Sequence, residues 1–295
     1  MAPGGNNVTI VEFPRRRACE TGAVERRPRL FVTLEGYAVE GGFDGPHQPS
    51  TCYRPTIALG RHDGPGDAEG LWHEYEAVLD LVPGLGFDGV RLSVEWARVE
   101  PRRGEVDESA LARYAAVARH ARALDLGVTI VLVDTAWPAW LGLEAWLLPW
   151  VTPLVIAQAR RVVAALGDVA TGVMPFADAE RFVSAGFIDA TMPPWRTDAA
   201  TDAAFATKQV KAIVTALAAD DVVGPRTVGV VRTIPLNLSL SAIASARSSG
   251  SECDELHFRS LVRGRGPTAA PAGLLEKSKG EWHPRISDDL RAVLA

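Results

Sequence analysis

The sequence predicts an α/β fold built on a parallel sheet, and three observations carry that expectation. Strand-like and helix-like segments alternate along the chain, joined by short links in which glycine marks the breaks. Val128-Thr129-Ile130-Val131-Leu132-Val133 is a continuous apolar and β-branched run, the pattern of a parallel strand covered on both faces. No G-x-G-x-x-G or G-x-x-x-x-G-K-[ST] follows any strand, which removes the usual reason for a doubly wound open sheet and leaves a (β/α) barrel as the leading architecture.

In order, Val8–Phe13 alternates briefly and reads as an added edge strand within a Gly-, Asn- and Arg-rich stretch. Residues 1–27 are accordingly an N-terminal extension, and 28–295 a single barrel domain. Arg29–Leu34 opens the strands. Asp67–Leu85 carries apolar residues at helical spacing until Gly86 stops it. Gly89–Val94 is a strand. Asp107–Leu126 is an amphipathic helix, with Leu111, Tyr114, Val117 and Leu124 opposite Arg113, Arg119 and Arg122. After the Val128–Val133 strand come a helix at Thr152–Leu166, a strand within Val169–Phe176 and a helix at Thr201–Leu217. Strands at Thr227–Val231 and Leu256–Val262 and a last helix at Arg285–Leu294 complete the series.

Composition narrows the functions. With 31 basic against 36 acidic residues the net charge is -5, without the basic footprint of a nucleic-acid or anionic-membrane binder. Cys19, Cys52 and Cys253 are widely and irregularly spaced, so neither a disulfide framework nor a zinc site is expected, and the expected location is the cytoplasm. No basic-then-apolar leader stands at the start, and the apolar stretch 145–159 is broken by Pro149 and Pro153, so no membrane association is expected.

Three segments share a likeness. Gly36-Tyr37-Ala38-Val39-Glu40-Gly41 resembles a Y-Q-x-E-G motif. Gly66-Asp67, Trp72-His73-Glu74-Tyr75, Leu85-Gly86 and Arg91-Leu92-Ser93-Val94-Glu95-Trp96-Ala97-Arg98 with Pro101 resemble G-D, Y-H-x-Y, L-G and R-x-S-x-x-W-x-R-x-x-P. Val131 to Leu141, through Asp134-Thr135-Ala136-Trp137-Pro138, resembles T-L-x-H-[WF]-x-x-P-x-W-L. Together they resemble family 1 glycoside hydrolases, the β-glucosidase family, most specifically over 66–141. More faintly, Leu166-Gly167-Asp168 stands ten residues before Asp178, and Glu281-Trp282-His283-Pro284 to Leu294 resembles a G-W-x-x-x-P-x-x-L-x-x-L helix. The resemblance implies a TIM-barrel-like (β/α)8 fold, incomplete or modified at its last two strands.

A retaining glycosidase needs two carboxylates about 5 Å apart, one acid/base and one nucleophile. Where that family has N-E-P the chain reads Ala177-Asp178-Ala179, and no T-E-N-G nucleophile motif occurs. The family's sugar-holding Gln is replaced by Ala38, and its His-aromatic pair by Asp134-Thr135. Each lost hydrogen bond to a substrate hydroxyl forfeits about 1–3 kcal/mol. Ordinary β-glucosidase activity is therefore not expected.

Residues at the C-terminal ends of barrel strands face the site. The expected catalytic pair is Asp134 and Asp178, and the expected ligand-binding residues are Glu35, Arg91, Glu95, Glu180 and Trp137. Two close carboxylates push one pKa upward and supply an acid and a base, or with further oxygen donors they ligate a divalent cation. Neither metal nor cofactor is assigned. Arg91 also reads as a structural ion-pair partner of Asp134 or Glu95, Trp137 as packing and His73 as a buried structural donor.

Three functions fit: a barrel retasked for acid–base chemistry on a less polar small molecule, a non-catalytic pseudo-glycosidase binding a ligand or partner, or a residual O-glycosidase. The matching elements make about six strand–helix units, fewer than a full (β/α)8 barrel. The expected cover for the open edge is Val8–Phe13, the C-terminal segment or a second subunit of a homodimer.

Overall fold

Five parallel strands lie side by side in the order in which the chain makes them. The computed structural model describes residues 7–12, 31–196, 200–224, 227–228, 230–235, 275–278 and 281–284. β1 is Asn7–Glu12, and β2, the first of the parallel five, is Phe31–Leu34. The helices α1 (Gly36–Val39), α2 (Arg54–Ala58) and α3 (Leu71–Leu81) follow. β3 (Gly89–Ser93) runs through α4 (Trp96–Val99) and α5 (Glu108–Ala123) into β4 (Gly127–Val133). α6 (Val151–Leu166), β5 (Gly172–Phe176), α7 (Ala179–Phe187), α8 (Ala200–Ala218) and β6 (Thr227–Val228) complete the alternation. β7 (Val230–Pro235), β8 (Leu275–Ser278) and β9 (Glu281–Pro284) lie outside this sheet.

The strand order is β2-β3-β4-β5-β6, parallel throughout. A doubly wound sheet reverses its order at a switch point; this one never does. With right-handed crossovers, all the connecting helices then stand on one face, which is how a barrel wall is built. Val32, Leu34, Val90, Leu92, Val128, Ile130, Leu132 and Val173 form the helix-facing side of the core, with Leu79, Leu111, Tyr114, Val155, Val162 and Ile213 packed in from the helices. β4 is buried along its whole length, as its apolar run requires.

The opposite, inner face has a different composition. One register row crosses all five strands as Thr33, Arg91, Thr129, Gly172 and Thr227. One step toward the strand ends lie Ser93, Val131 and Met174, where Val131 and Met174 make a small cluster of their own with Ala177. A polar inner row points this face toward a site rather than toward a second hydrophobic layer.

Helix α5 and strands β3 to β5 match the expected segments within a few residues. Helix α3 starts later than Asp67, because Gly66, Ala68 and Gly70 all take left-handed backbone before it. His73 is exposed on α3 rather than buried, since Leu71, Tyr75, Val78 and Leu79 claim the buried side. The segment expected as one strand at Thr227–Val231 divides between β6 and β7, and β1 pairs antiparallel with β7 from Asn7↔Pro235 to Glu12↔Val230. The described part of the segment expected as an added edge strand, Val8–Glu12, is thus half of a two-stranded antiparallel ribbon with β7. Glu281–Pro284, expected to lead into a helix, pairs antiparallel with Leu275–Ser278. The expected strand at Leu256–Val262 and helix at Arg285–Leu294 lie outside the described residues.

Asp107 ends the loop before α5 by accepting hydrogen bonds from the backbone N–H of Ser109 (2.9 Å) and Ala110 (3.0 Å). Replacing it removes the acceptor for two otherwise unpaired donors at the helix start. Asp107→Ala is expected to lower stability by about 1 kcal/mol, with Asp107→Ser close to wild type. The urea midpoint at unchanged m-value is the readout.

Candidate functional site

Four of the parallel strands are followed within two residues by an acid, and after β3 that acid is Glu95. Glu35 comes directly after β2, Asp134 directly after β4, and Asp178 two residues after β5. Arg91 rises among them from the inner face of β3. It is 3% exposed, and its Nη2 donates to the carbonyl oxygen of Ala177 at 2.5 Å, tying β3 to the end of β5. Burial pulls the Arg91 pKa down from its ordinary value, while Asp134, Asp178 and Glu35 together hold it up. Its Nε is buried and makes no hydrogen bond among the described residues, and neither does the Oγ1 of Thr129, its register partner on β4.

Asp134 accepts a hydrogen bond from the hydroxyl of Ser93. Burial raises its pKa, and Ser93, then Arg91, then Arg181 oppose the rise. Glu35 is pushed up to about 7, first by burial of its carboxyl group and then by the Asp134 charge, with Arg181, Thr135 and Arg91 pulling the other way. A carboxyl poised near neutrality beside a second acid is the arrangement general acid–base chemistry needs. Within this cluster Glu35 and Asp134 are the electrostatically linked pair.

Asp178 is placed differently from its expected role. Its carboxylate accepts the backbone N–H of Arg181 at 2.9 Å and so caps α7. Glu180 stands in the first turn of the same helix, where an acid is favoured by the helix dipole. Trp137 is buried at 1% exposure, donates its indole N–H to Gly142 at 3.0 Å, and packs edge-on against Trp146 and Phe182. It is part of the core rather than a wall of the mouth.

Beneath the cluster lies a second acidic group. Glu95, at the start of α4, is 2% exposed and accepts the backbone N–H of Tyr37 at 3.0 Å. A side chain at Gly36 would bring its Cβ within 2.3 Å of Glu95 Cγ, so glycine is required there. Burial, then Glu40, then Asp134 push the Glu95 carboxyl well above the usual range. Glu40 pairs with Arg98 at 3.0 Å and accepts the Tyr114 hydroxyl at 2.9 Å, with its own pKa pushed by burial to about 7. Arg98 is sandwiched between the Phe43 and Trp72 rings, 4.1 and 4.0 Å from their centroids. Glu95 is thus a support of the site, not part of its lining.

Sequence reasoning missed two residues that belong here. Arg181 is half-buried in the first turn of α7, and its charge acts on Glu35, Asp134 and Tyr53. Its position three residues after Asp178 was the available signal. Tyr53, on a long connection with no motif, stacks on Tyr37 at 4.6 Å between ring centroids, with Trp195 edge-on at 5.6 Å. Among the described residues no cluster of three His, Cys, Asp or Glu side chains is arranged to hold a metal ion, and no helix is long and apolar enough to cross a membrane.

No protein-family model and no curated protein matches the chain. Solved structures do. The chain is similar to an aphid myrosinase with a TM-score of 0.61 at 15% identity, over 68% of this chain and 46% of that one. A rice β-glucosidase gives 0.58 at 16% over 65% and 45%, and a β-glucosidase from Exiguobacterium marinum 0.57 at 18% over 66% and 46%. The chain spans less than half the length of these proteins. At such identities the likeness is one of fold: a glycosidase-type TIM barrel.

Glu35 sets a pH dependence whose sign follows from its raised pKa. Below about 4.5 it is protonated folded or unfolded; between 4.5 and about 7 only the unfolded chain ionises fully, so stability falls as pH rises through that window. Glu40 acts with the same sign. Glu35→Gln is expected to flatten part of this fall and to raise the melting temperature at pH 8, by about 2–4 °C for each kcal/mol recovered, as read from melting curves across pH. Arg98→Met, which leaves Glu40 buried without its cation, is expected to cost about 3–5 kcal/mol. In the double variant with Glu40→Gln, part of that loss returns in chemical denaturation.

Proposed function

We propose that this chain uses the C-terminal mouth of a glycosidase-like barrel for acid–base chemistry on a small molecule less polar than a sugar. Glu35 and Asp134 exchange the proton, while Arg91 and Arg181 steady the charge that develops on them. The observation that carries this reading is the pair itself: a carboxyl held near pH 7 next to a second acid that is fixed by Ser93 and faces Arg91. Asp178 contributes as the cap that orients α7 and brings Arg181 over the pair, rather than as the second acid.

The replacement of the sugar-holding positions by Ala38 and Asp134-Thr135, and of N-E-P by Ala177-Asp178-Ala179, supports a non-sugar substrate. Each such loss removes a directed hydrogen bond to a hydroxyl. A second reading, residual hydrolysis of O-glycosides, is favoured by the likeness in fold to solved β-glucosidases.

Two chromogenic probes separate the readings. 5-Nitrobenzisoxazole opens when one base removes one proton and asks for no sugar contacts; 4-nitrophenyl β-D-glucoside needs a glycosidase. The expected outcome is protein-dependent ring opening that rises through an apparent pKa near 7, falls at least about tenfold in Glu35→Gln and in Asp134→Asn, and is accompanied by no glucoside cleavage. Glucoside cleavage that depends on Asp134 establishes the second reading instead. Inactivity on both probes overturns both readings.

A further inference from the structure

The hydrogen-bond inventory of the mouth is lopsided. Its acceptors are supplied: Asp134 takes the Ser93 hydroxyl, Asp178 takes the Arg181 backbone N–H, and Glu95 below takes the Tyr37 backbone N–H. Its donors are in surplus. Arg91 spends Nη2 on the Ala177 carbonyl, yet its Nε, on a residue 3% exposed, has no acceptor among the described residues. The guanidinium of Arg181, half-buried in the first turn of α7, forms no ion pair or hydrogen bond with a described carboxylate; its hydrogen bonds run through its backbone, to Asp178 and from the Ser184 hydroxyl. Both arginines flank the strand ends that carry Glu35 and Asp134.

We propose that the mouth takes a small carboxylate, its oxygens accepting from the spare N–H groups of Arg91 and Arg181. A buried guanidinium donor without an acceptor is costly to leave unmet, and a carboxylate matches guanidinium geometry better than a neutral amide or a hydroxyl does. Tyr37 follows Glu35 by two residues and stacks on Tyr53 within the core, both buried, which fixes the backbone beside the mouth. Burial pressure toward the neutral form of Glu35 lessens the repulsion an incoming anion would otherwise feel.

This inference rests on the reading of the mouth as an acid–base site and names the substrate class for it. The test compares sodium benzoate, benzamide and benzylammonium chloride, three ligands of one shape and different charge, by calorimetric titration near pH 6.5 at ionic strength matched with sodium chloride. Wild type is expected to bind benzoate at least about tenfold more tightly than either analogue. Arg181→Gln is expected to remove that preference and Arg181→Lys to keep part of it. Unchanged circular dichroism in each variant shows that the fold is intact. Benzoate binding no tighter than benzamide, a preference for benzylammonium, or a preference indifferent to Arg181→Gln overturns the proposal. Benzoate binding through Arg181 without turnover of 5-nitrobenzisoxazole keeps the carboxylate site and removes the acid–base reading; turnover without benzoate preference does the reverse.

Discussion

The constraint on which the site depends is the burial of Arg91 among three strand-end acids. Glu35, Asp134 and Asp178 follow three strands of one parallel sheet, and burial makes the ionised forms of Glu35 and Asp134 costly. At an effective dielectric of about 20, unit charges about 4 Å apart interact by about 4 kcal/mol, enough to hold one carboxylate ionised against its burial. A single inner-face guanidinium does not offset three acids. The cluster resolves the shortfall in two ways: Glu35 moves toward its neutral form, and Arg181 arrives from α7 with a second positive charge.

That arrangement needs a rigid floor, and the floor is charged too. Glu95 and Glu40 are both buried; Glu40 pairs with Arg98 and accepts the Tyr114 hydroxyl, whose oxygen accepts the backbone N–H of Glu95, and the Phe43 and Trp72 rings clamp the Arg98 guanidinium from two sides. Because Glu95 packs against Gly36 and holds the Tyr37 amide, it fixes the backbone just after Glu35. The position of the titrating carboxyl at the mouth is therefore set by a buried ionic layer that never meets a ligand. Tyr37 joins the two levels, since its hydroxyl donates to Asp44 while its ring carries Tyr53.

The sheet and its helices were legible because periodicity and burial agree: β4 is apolar along its length and buried along its length, and α5 begins at the acid that caps it. The places of Glu35, Asp134 and Asp178 just after their strands, and of Arg91 within β3, were legible for the same reason, since strand boundaries follow from the apolar runs. Their roles were less so. Nothing in the spacing distinguishes an acid that titrates, such as Glu35, from one that caps a helix, such as Asp178; that difference is set by whose N–H lies within reach. Trp137 reads equally as lining or core until Trp146 and Phe182 are seen around it. The Glu281–Pro284 segment pairs as a short strand, a pairing its tryptophan–proline spacing gave no sign of.

The central claim is that Glu35 titrates near neutrality within a linked pair. Carbon-13 NMR of the folded protein, with glutamate side-chain carboxyls labelled and the resonance assigned by its loss in Glu35→Gln, measures this directly. The account predicts a midpoint near 7 for Glu35 that shifts downward in Asp134→Asn, where the neighbouring negative charge is gone. A Glu35 midpoint near 4.5, unmoved by that substitution, would contradict it.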